Sequence, residues 1–439
     1  MDILNIVNDI TKSIKKQNLD AEVVIYETNK ISVSQRLLKI EQISQAKNCT
    51  VGIRAIAEKD RAAYVSTNDL SSIDKVISQV VEMAKSAQRD PYINFYVDDH
   101  HTTENLGILD TNSINIEDLK RITNLAESSA LENKSIINSE GACSSYSLTN
   151  MLLSTTSGFL SSFSKSFFSN QVSVVAGRNR EMKVGYDYDL ACNFNDLKSP
   201  ELIGKEAASR AVAQLGARAV KTNKFPVIFE KRAAKELVKS FASAINGNNI
   251  ASSSSFLLKS LGTMIFNDNI CIIDDPLLHK GLWSRPFDGE GVQSRKTICI
   301  ENGVLLSWIL DLHSSKKLNL KTTGNASRMS NASVLPEASN FYIENGHISY
   351  NDLIQTVKQG IYVTDLFGFG INLINGDYSQ GASGFFIENG IVTYPIHEFT
   401  IASNLIEMFG RLIVADDLSF YGQFNSPTIK IDEMIVAGT

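Results

Sequence analysis

The sequence predicts an α+β fold: an N-terminal α/β region followed by a β-rich C-terminal domain with several hairpins. Three observations carry that expectation. Apolar residues recur at helical spacing in segments that lie within about the first 245 residues. Strand-like runs stand between those segments. Beyond about residue 260 the pattern is mostly strands with glycine turns. A length of 439 residues, at about 150 per domain, suggests two or three domains. The 43% hydrophobic and 21% charged composition is that of a globular chain with a sizeable core.

The elements follow in order. An amphipathic helix covers about residues 2–17, with Ile3, Ile6, Val7, Ile10 and Ile14 on one stripe. Ala21 to Glu27, Ile31 to Ile43 and Cys49 to Ala57 read as strands. Residues 73–87 return to helix through Val76, Val80, Val81 and Ala84. Asp90-Pro91-Tyr92 ends it and opens a polar loop to about 113. A helix with Leu119, Ile122, Ala126 and Ala130 precedes a long β stretch over about 135–195. Ser199-Pro200 then supplies a cap and an N1 proline for a helix carrying Ile203, Ala207 and Ala211. After the strand Pro226–Phe229, a further helix carries Ala233, Ala234, Leu237, Val238 and Phe241.

The polar link Lys221-Thr222-Asn223-Lys224 is the expected boundary. It divides an N-terminal region over 1–222, with subregions 1–113 and 114–222, from a C-terminal domain over 225–439. Glu-Asn-Gly triplets at 301–303, 344–346 and 388–390 predict three hairpins, because Asn-Gly supplies the two positive-φ residues of a type I′ turn. Their spacings of 43 and 44 residues resemble a propeller repeat, but similarity stops at the hairpins and no blade signature accompanies them.

Composition excludes several function classes. The 42 basic and 48 acidic residues give a net charge of −6, without the basic surplus of a chain that neutralises phosphates. The N-terminus lacks the basic and apolar regions of a signal peptide, and no apolar stretch approaches membrane-spanning length. Five cysteines (Cys49, Cys143, Cys192, Cys271, Cys299), separated by 28 to 94 residues, fit neither a disulfide framework nor a zinc ribbon. Reduced thiols in a cytoplasmic protein are the expectation.

Motifs exclude more. The six histidines form no His-Glu-x-x-His or His-Glu-x-x-x-His pair. His397-Glu398 begins such a motif without completing it, and reads as a strand-end histidine near the surface. In Asp98-Asp99-His100-His101 at most two side chains would converge on an extended chain. There is no Walker A motif, Gly289-Glu290-Gly291 and Gly368-Phe369-Gly370 lack the third glycine of a dinucleotide fingerprint, and Ser383 lacks the Gly-x-Ser-x-Gly elbow. No recognisable catalytic machinery remains.

One segment is too dense for a generic hairpin: Gly376-Asp377-Tyr378-Ser379-Gln380-Gly381-Ala382-Ser383-Gly384-Phe385-Phe386, followed by Tyr394-Pro395-Ile396-His397-Glu398-Phe399. It resembles the C-terminal signature of the TldD/PmbA (TldE) family, in particular its PmbA branch. Ile273-Asp274-Asp275-Pro276, Phe287-Asp288-Gly289-Glu290-Gly291-Val292 and Thr322-Thr323-Gly324-Asn325-Ala326 fall in the family's order, as does Met434-Ile435-Val436-Ala437-Gly438. Two stretches depart from the branch: His313-Ser314-Ser315-Lys316-Lys317 stands for Tyr-Ser-Ala-Arg-Lys, and Asn375 for a threonine.

The resemblance implies a dimer built through the C-terminal domain, and a peptidase acting on unfolded or small peptides. In that family the TldD-type subunit binds a catalytic metal, expected to be zinc, through a His-Glu-x-x-x-His helix and a later cysteine. This chain has neither: Glu230-Lys231-Arg232-Ala233-Ala234-Lys235-Glu236-Leu237 has no histidine, and no cysteine follows Cys299. It therefore reads as the non-metal, non-catalytic subunit of a TldD–TldE complex, without a cofactor of its own. Its expected partners are a TldD-type paralogue or a second copy, and peptides, with no nucleic acid and no membrane. A homodimeric peptidase and a non-enzymatic regulatory or binding protein are the alternatives. Candidate substrate- or partner-binding residues are Asp288, Glu290, Asn325, Gly376, Asp377, Tyr378, Ser379, Gly381 and Gly384. The Gly376–Gly390 segment is either a tight turn packed on its own sheet or a lining of the peptide chamber. Asp288 and Glu290 form either a solvated turn or an acidic patch facing the partner.

Overall fold

Alternation along the first long strand sets the layers of the N-terminal half. In the computed structural model, which describes residues 3–96, 105–112, 114–178, 181–328, 333–368 and 370–438, six strands form one antiparallel sheet. These are β1 (Asp20–Arg36), β2 (Lys39–Ala57), β3 (Arg61–Thr67), β4 (Ile136–Thr155), β5 (Leu160–Arg178) and β6 (Glu181–Ala191), in the order β3-β2-β1-β4-β5-β6. Odd-numbered Ala21, Val23 and Ile25 pack with Val51, Ile53 and Ala55 under helices α1 (Ile3–Lys15) and α2 (Ile73–Ser86). Farther along the sheet, α3 (Ile116–Leu131) and α4 (Pro200–Ala213) cover Ala142, Val172 and Val174. On the opposite face, even-numbered Val24 meets Phe287 of the C-terminal half, and Glu22 and Arg54 lie beside it. One face holds the helices, and the other holds the rest of the molecule.

The helices begin where capping residues stand. Asn115 and Asp118 form a capping box on α3, and the Ser199 hydroxyl accepts the Leu202 N–H ahead of Pro200 in α4. One strand expectation fails. The run Ile31 to Ile43 is broken by a two-residue hairpin turn at Leu37-Leu38, with φ of 49° and 61°. The turn carries neither glycine nor asparagine, so no local signal announces it. Glu127 of α3, fully buried, holds it instead: its carboxylate accepts the Leu37 and Leu38 N–H groups at 2.8 and 2.9 Å.

The C-terminal half opens with β7 (Asn223–Phe229), α5 (Lys231–Ala244), α6 (Gly247–Ala251), β8 (Ile272–Asp274), β9 (Thr297–Glu301) and β10 (Val304–Leu305). Next come α7 (Leu312–Lys317), β11 (Ala326–Arg328), β12 (Val334–Pro336), β13 (Phe341–Ile343), α8 (Tyr350–Gln355) and β14 (Gln359–Phe367). Then follow β15 (Asp377–Glu388), β16 (Ile391–Asn404), α9 (Leu405–Gly410), β17 (Leu412–Val414), β18 (Phe424–Asn425) and β19 (Ile429–Ala437). A six-stranded sheet runs β16-β15-β14-β7-β19-β17, and β16 also pairs with β19, which curls the sheet back on itself. A smaller sheet runs β10-β9-β8-β13-β18.

Helix α5 is wedged between the two sheets. Ala234, Leu237, Val238 and Phe241 pack into one core with Val227, Phe229, Ile361 and Val363 on one side and Ile272, Ile300 and Phe341 on the other. Phe241 meets Phe266 and Phe409 edge-on at 5.1 and 5.7 Å. Burying one such side chain contributes about 1.5–3 kcal/mol, and this helix buries its whole apolar stripe.

Two of the three Glu-Asn-Gly triplets are type I′ hairpin turns: Asn302 and Gly303 have φ of 50° and 77°, Asn389 and Gly390 51° and 77°. The third is not a hairpin. After Ile343 the Gly346 N–H donates to the Ala415 carbonyl at 2.8 Å, and a Cβ on Gly346 would lie 2.0 Å from the Val414 oxygen. That glycine permits a close approach rather than a turn. The two real hairpins lie in different sheets, so their spacing is no blade repeat. Among the described residues no helix is long and apolar enough to cross a membrane.

Candidate functional site

The signature segment is strand β15, not a turn. Tyr378, Gln380, Ala382, Gly384 and Phe386 are buried, while Asp377 and Ser379 are exposed, as the period of two requires. Tyr378 belongs to the core beside α5; burial pushes its phenol up, and its hydroxyl has no hydrogen-bond partner. Gly376 (φ 81°) and Asp377 form a corner. The Asp377 carboxylate accepts from the amides of Asn375 at 2.6 Å and Asn404 at 3.3 Å. Gly381 lies against the Phe367 ring, where a Cβ would sit 2.4 Å away. Gly384 has no positive φ. Its constraint is the Tyr362 carbonyl, 1.9 Å from where a Cβ would stand.

Asp288, Glu290 and Asn325 sit elsewhere, and none forms a solvated turn. Asp288 and Glu290 are 0% and 1% exposed. The Asp288 carboxylate accepts the N–H groups of Glu290, Val292 and Ala326 at 2.8, 2.9 and 2.9 Å. Burial nevertheless pushes it up to about 6. Glu290 joins the two halves of the molecule: Arg54 of β2 reaches it at 3.4 Å and Glu22 of β1 at 3.1 Å. Arg328 pairs with Glu22 from the C-terminal side. Burial opposes ionisation of Glu22, but Arg54 and Arg328 outweigh it and hold the carboxyl below its usual range. Glu290, with less of that compensation, is raised by burial. Asn325 donates to Asp274 at 2.6 Å inside the C-terminal half. These three residues knit the interior and the junction.

Sequence reasoning missed Glu22, Arg54 and Arg328. A signal existed: Glu22 stands alone in Ala21-Glu22-Val23-Val24-Ile25, and Arg54 in an equally apolar run. A lone charge inside a strand buried on both faces needs a partner. The departures from the family pattern also serve the junction. His313 bonds Asp90 at 2.8 Å, and Lys316 donates to the Ile93 carbonyl at 2.8 Å. Together with Arg54, Tyr64 and Glu290, His313 lines a polar cavity of about 670 Å³ between the halves.

A second cleft, of about 390 Å³, brings the signature strand to the N-terminal half. Ser383 and Phe385 of β15 and Tyr362 and Asp365 of β14 form one wall, and Tyr186 of β6 and Arg210 of α4 the other. Arg210 grips Glu230 with two bonds of 2.6 and 3.2 Å, and the Tyr186 hydroxyl reaches Asp365 at 3.4 Å. Burial pushes the Tyr362 phenol up, and its hydroxyl accepts from that of Tyr350 at 3.0 Å. None of the lining side chains is a histidine or cysteine. The cleft can hold and orient a chain of polar groups.

The described residues do not gather as a zinc site requires. Among the described residues no three His, Cys, Asp or Glu side chains gather around a point. Burial raises all five thiols, that of Cys271 to about 12. His397 is an exposed strand residue. Asp98, Asp99, His100 and His101 lie outside the described residues.

Three stretches match one family along the chain: residues 21–84 the PmbA/TldA metallopeptidase domain 1, residues 109–215 its central domain, and residues 222–438 its C-terminal domain. The metalloprotease PmbA homologue of Buchnera aphidicola from Acyrthosiphon pisum is 32% identical, over 99% of this chain and 97% of that protein. The chain belongs to the PmbA/TldA metallopeptidase family. Metalloprotease PmbA of Escherichia coli O157:H7 is 31% identical, covering 95% of this chain and 92% of its own. Among solved structures, TldE from Thermococcus kodakarensis superposes with a TM-score of 0.89 at 22% identity, covering 99% of this chain and 100% of that one. A modulator-of-DNA-gyrase protein from Bacteroides thetaiotaomicron gives 0.90 at 23%, covering 99% and 98%. At those identities the structures establish the shared fold.

Proposed function

We propose that this chain is the PmbA/TldE-type subunit of a TldD–TldE metallopeptidase complex acting on unfolded or small peptides. In this reading it is non-catalytic, and the zinc belongs to the TldD-type partner. One observation carries the reading: α5 presents Lys231, Arg232, Lys235 and Glu236 where the resemblance places the metal ligands. Without imidazole or thiolate donors a metal-bound water has no place to be activated. A likeness to the TldD homologue of Haemophilus influenzae, 26% identical over 58% of this chain, supports a paralogous pair. An apolar corner supports a partner surface: Ile374 and Ile406, 71% and 53% exposed, flank the bond between Asn404 and the Asn375 carbonyl. Free cysteines, all five unpaired, support a reducing compartment, the cytoplasm.

Co-expression with a TldD-type paralogue, affinity capture and light scattering test the assembly. A heteromer with peptide-cleaving activity is expected. A chain that elutes alone, beside a paralogue fully active without it, would overturn the proposal.

A further inference from the structure

We infer that the cationic face at the start of α5 is a carboxylate-binding subsite for peptides. This rests on the peptide-handling role proposed above and names the group recognised. Four cations from two parts of the chain converge there. Lys198, just before α4, and Lys231, Arg232 and Lys235, on the first two turns of α5, surround the rings of Tyr188 and Tyr421. Lys198, Lys231 and Arg232 stand 6.0, 5.7 and 5.5 Å from the Tyr421 ring centre. Arg232 and Lys235 stand 5.1 and 5.6 Å from that of Tyr188. Aromatic faces hold cations without neutralising them.

The charge is not balanced locally. Asp187, 1% exposed, serves both Arg232 and Lys198, the latter at 3.3 Å. Asp189 accepts the Lys198 backbone N–H at 2.7 Å. Lys231 and Lys235 bond neutral hydroxyls instead, Ser419 at 3.0 Å and Tyr188 at 3.0 Å. Four positive charges thus face Asp187 and Asp189, with Asp365 also acting on Arg232, which still leaves the cations in excess. The Arg232 side chain is 8% exposed, and its Nη1 is buried with no hydrogen-bond partner. A buried guanidinium with an unmade bond, inside a surplus of positive charge, is completed by an anion that accepts from it and from the neighbouring ammonium groups. The face is continuous with the cleft: Tyr188 stacks on Tyr186, which lines it, at 6.4 Å and 8°. A peptide lying in the cleft would bring its C-terminal carboxylate, or an acidic side chain, to this end.

Anisotropy with N-terminally labelled, unstructured peptides tests the site on the full chain. Two pairs separate the sources: free acid against C-terminal amide, and an internal Glu against Gln. At least one acid member should bind roughly tenfold tighter than its neutral twin, with the advantage shrinking as salt rises. The half-exposed double variant Lys231→Gln/Lys235→Gln should erase the advantage without lowering the thermal midpoint. Equal binding of acid and neutral peptides, or an undiminished preference in the double variant, would overturn the subsite while leaving the peptide role standing. Binding of no peptide at all would overturn both.

Discussion

Gly384 shows why a glycine can be required without an unusual backbone. It lies opposite Val363 where the β14–β15 register shifts, and the Tyr362 carbonyl occupies the space a side chain would need. Gly384→Ala should therefore cost about 1–3 kcal/mol in denaturant unfolding, and Gly384→Val more. Equal stability of both variants would refute the close approach. Asp288 makes a different residue-scale statement. Its carboxyl is raised to about 6, so the folded state holds the proton more tightly than the unfolded chain does. Its contribution to stability is therefore greatest below the ordinary carboxylate range and is lost as pH rises from about 4 to about 6. Thermal midpoints of Asp288→Asn, measured against the native chain across that window, should lack this fall. Parallel curves would show that Asp288 does not titrate there.

At the scale of elements, legibility followed local chemistry. Helices α2 to α5 were readable from apolar stripes, aided in α4 by its capping serine and N1 proline, because both signals lie within one segment. The hairpin turn at Leu37-Leu38 was not, because its cause is Glu127, about ninety residues away. Replacing Leu37 and Leu38 by Asn and Gly should then raise stability by about 1–2 kcal/mol, since the turn already has positive φ at both positions. A loss of stability would mean the leucine side chains matter more than the backbone. The Glu-Asn-Gly triplets illustrate the same limit: identical triplets made two turns and one close approach, and only the neighbouring strand distinguishes them. Of the candidate site, the signature strand was visible as a segment. The partners that complete its cleft, Arg210, Glu230 and Tyr186, are single residues brought together by the fold.

At the scale of the whole molecule, the N-terminal sheet and the C-terminal half are joined through buried charge. Glu22, Arg54, Glu290 and Arg328 meet where the strand faces turn away from the helices. Glu22→Gln removes a carboxylate that serves both arginines, and should cost about 3–5 kcal/mol in denaturant unfolding. A cost below about 1 kcal/mol would show that the junction does not depend on that pairing. The division of labour between this chain and a metal-bearing paralogue is the larger claim. It is tested most directly by zinc content and peptide cleavage, measured side by side for each chain alone and for the two together. This chain alone should carry no stoichiometric zinc and cleave nothing, with cleavage appearing when the paralogue is present. About one zinc per chain, together with cleavage by this chain alone, would contradict the account.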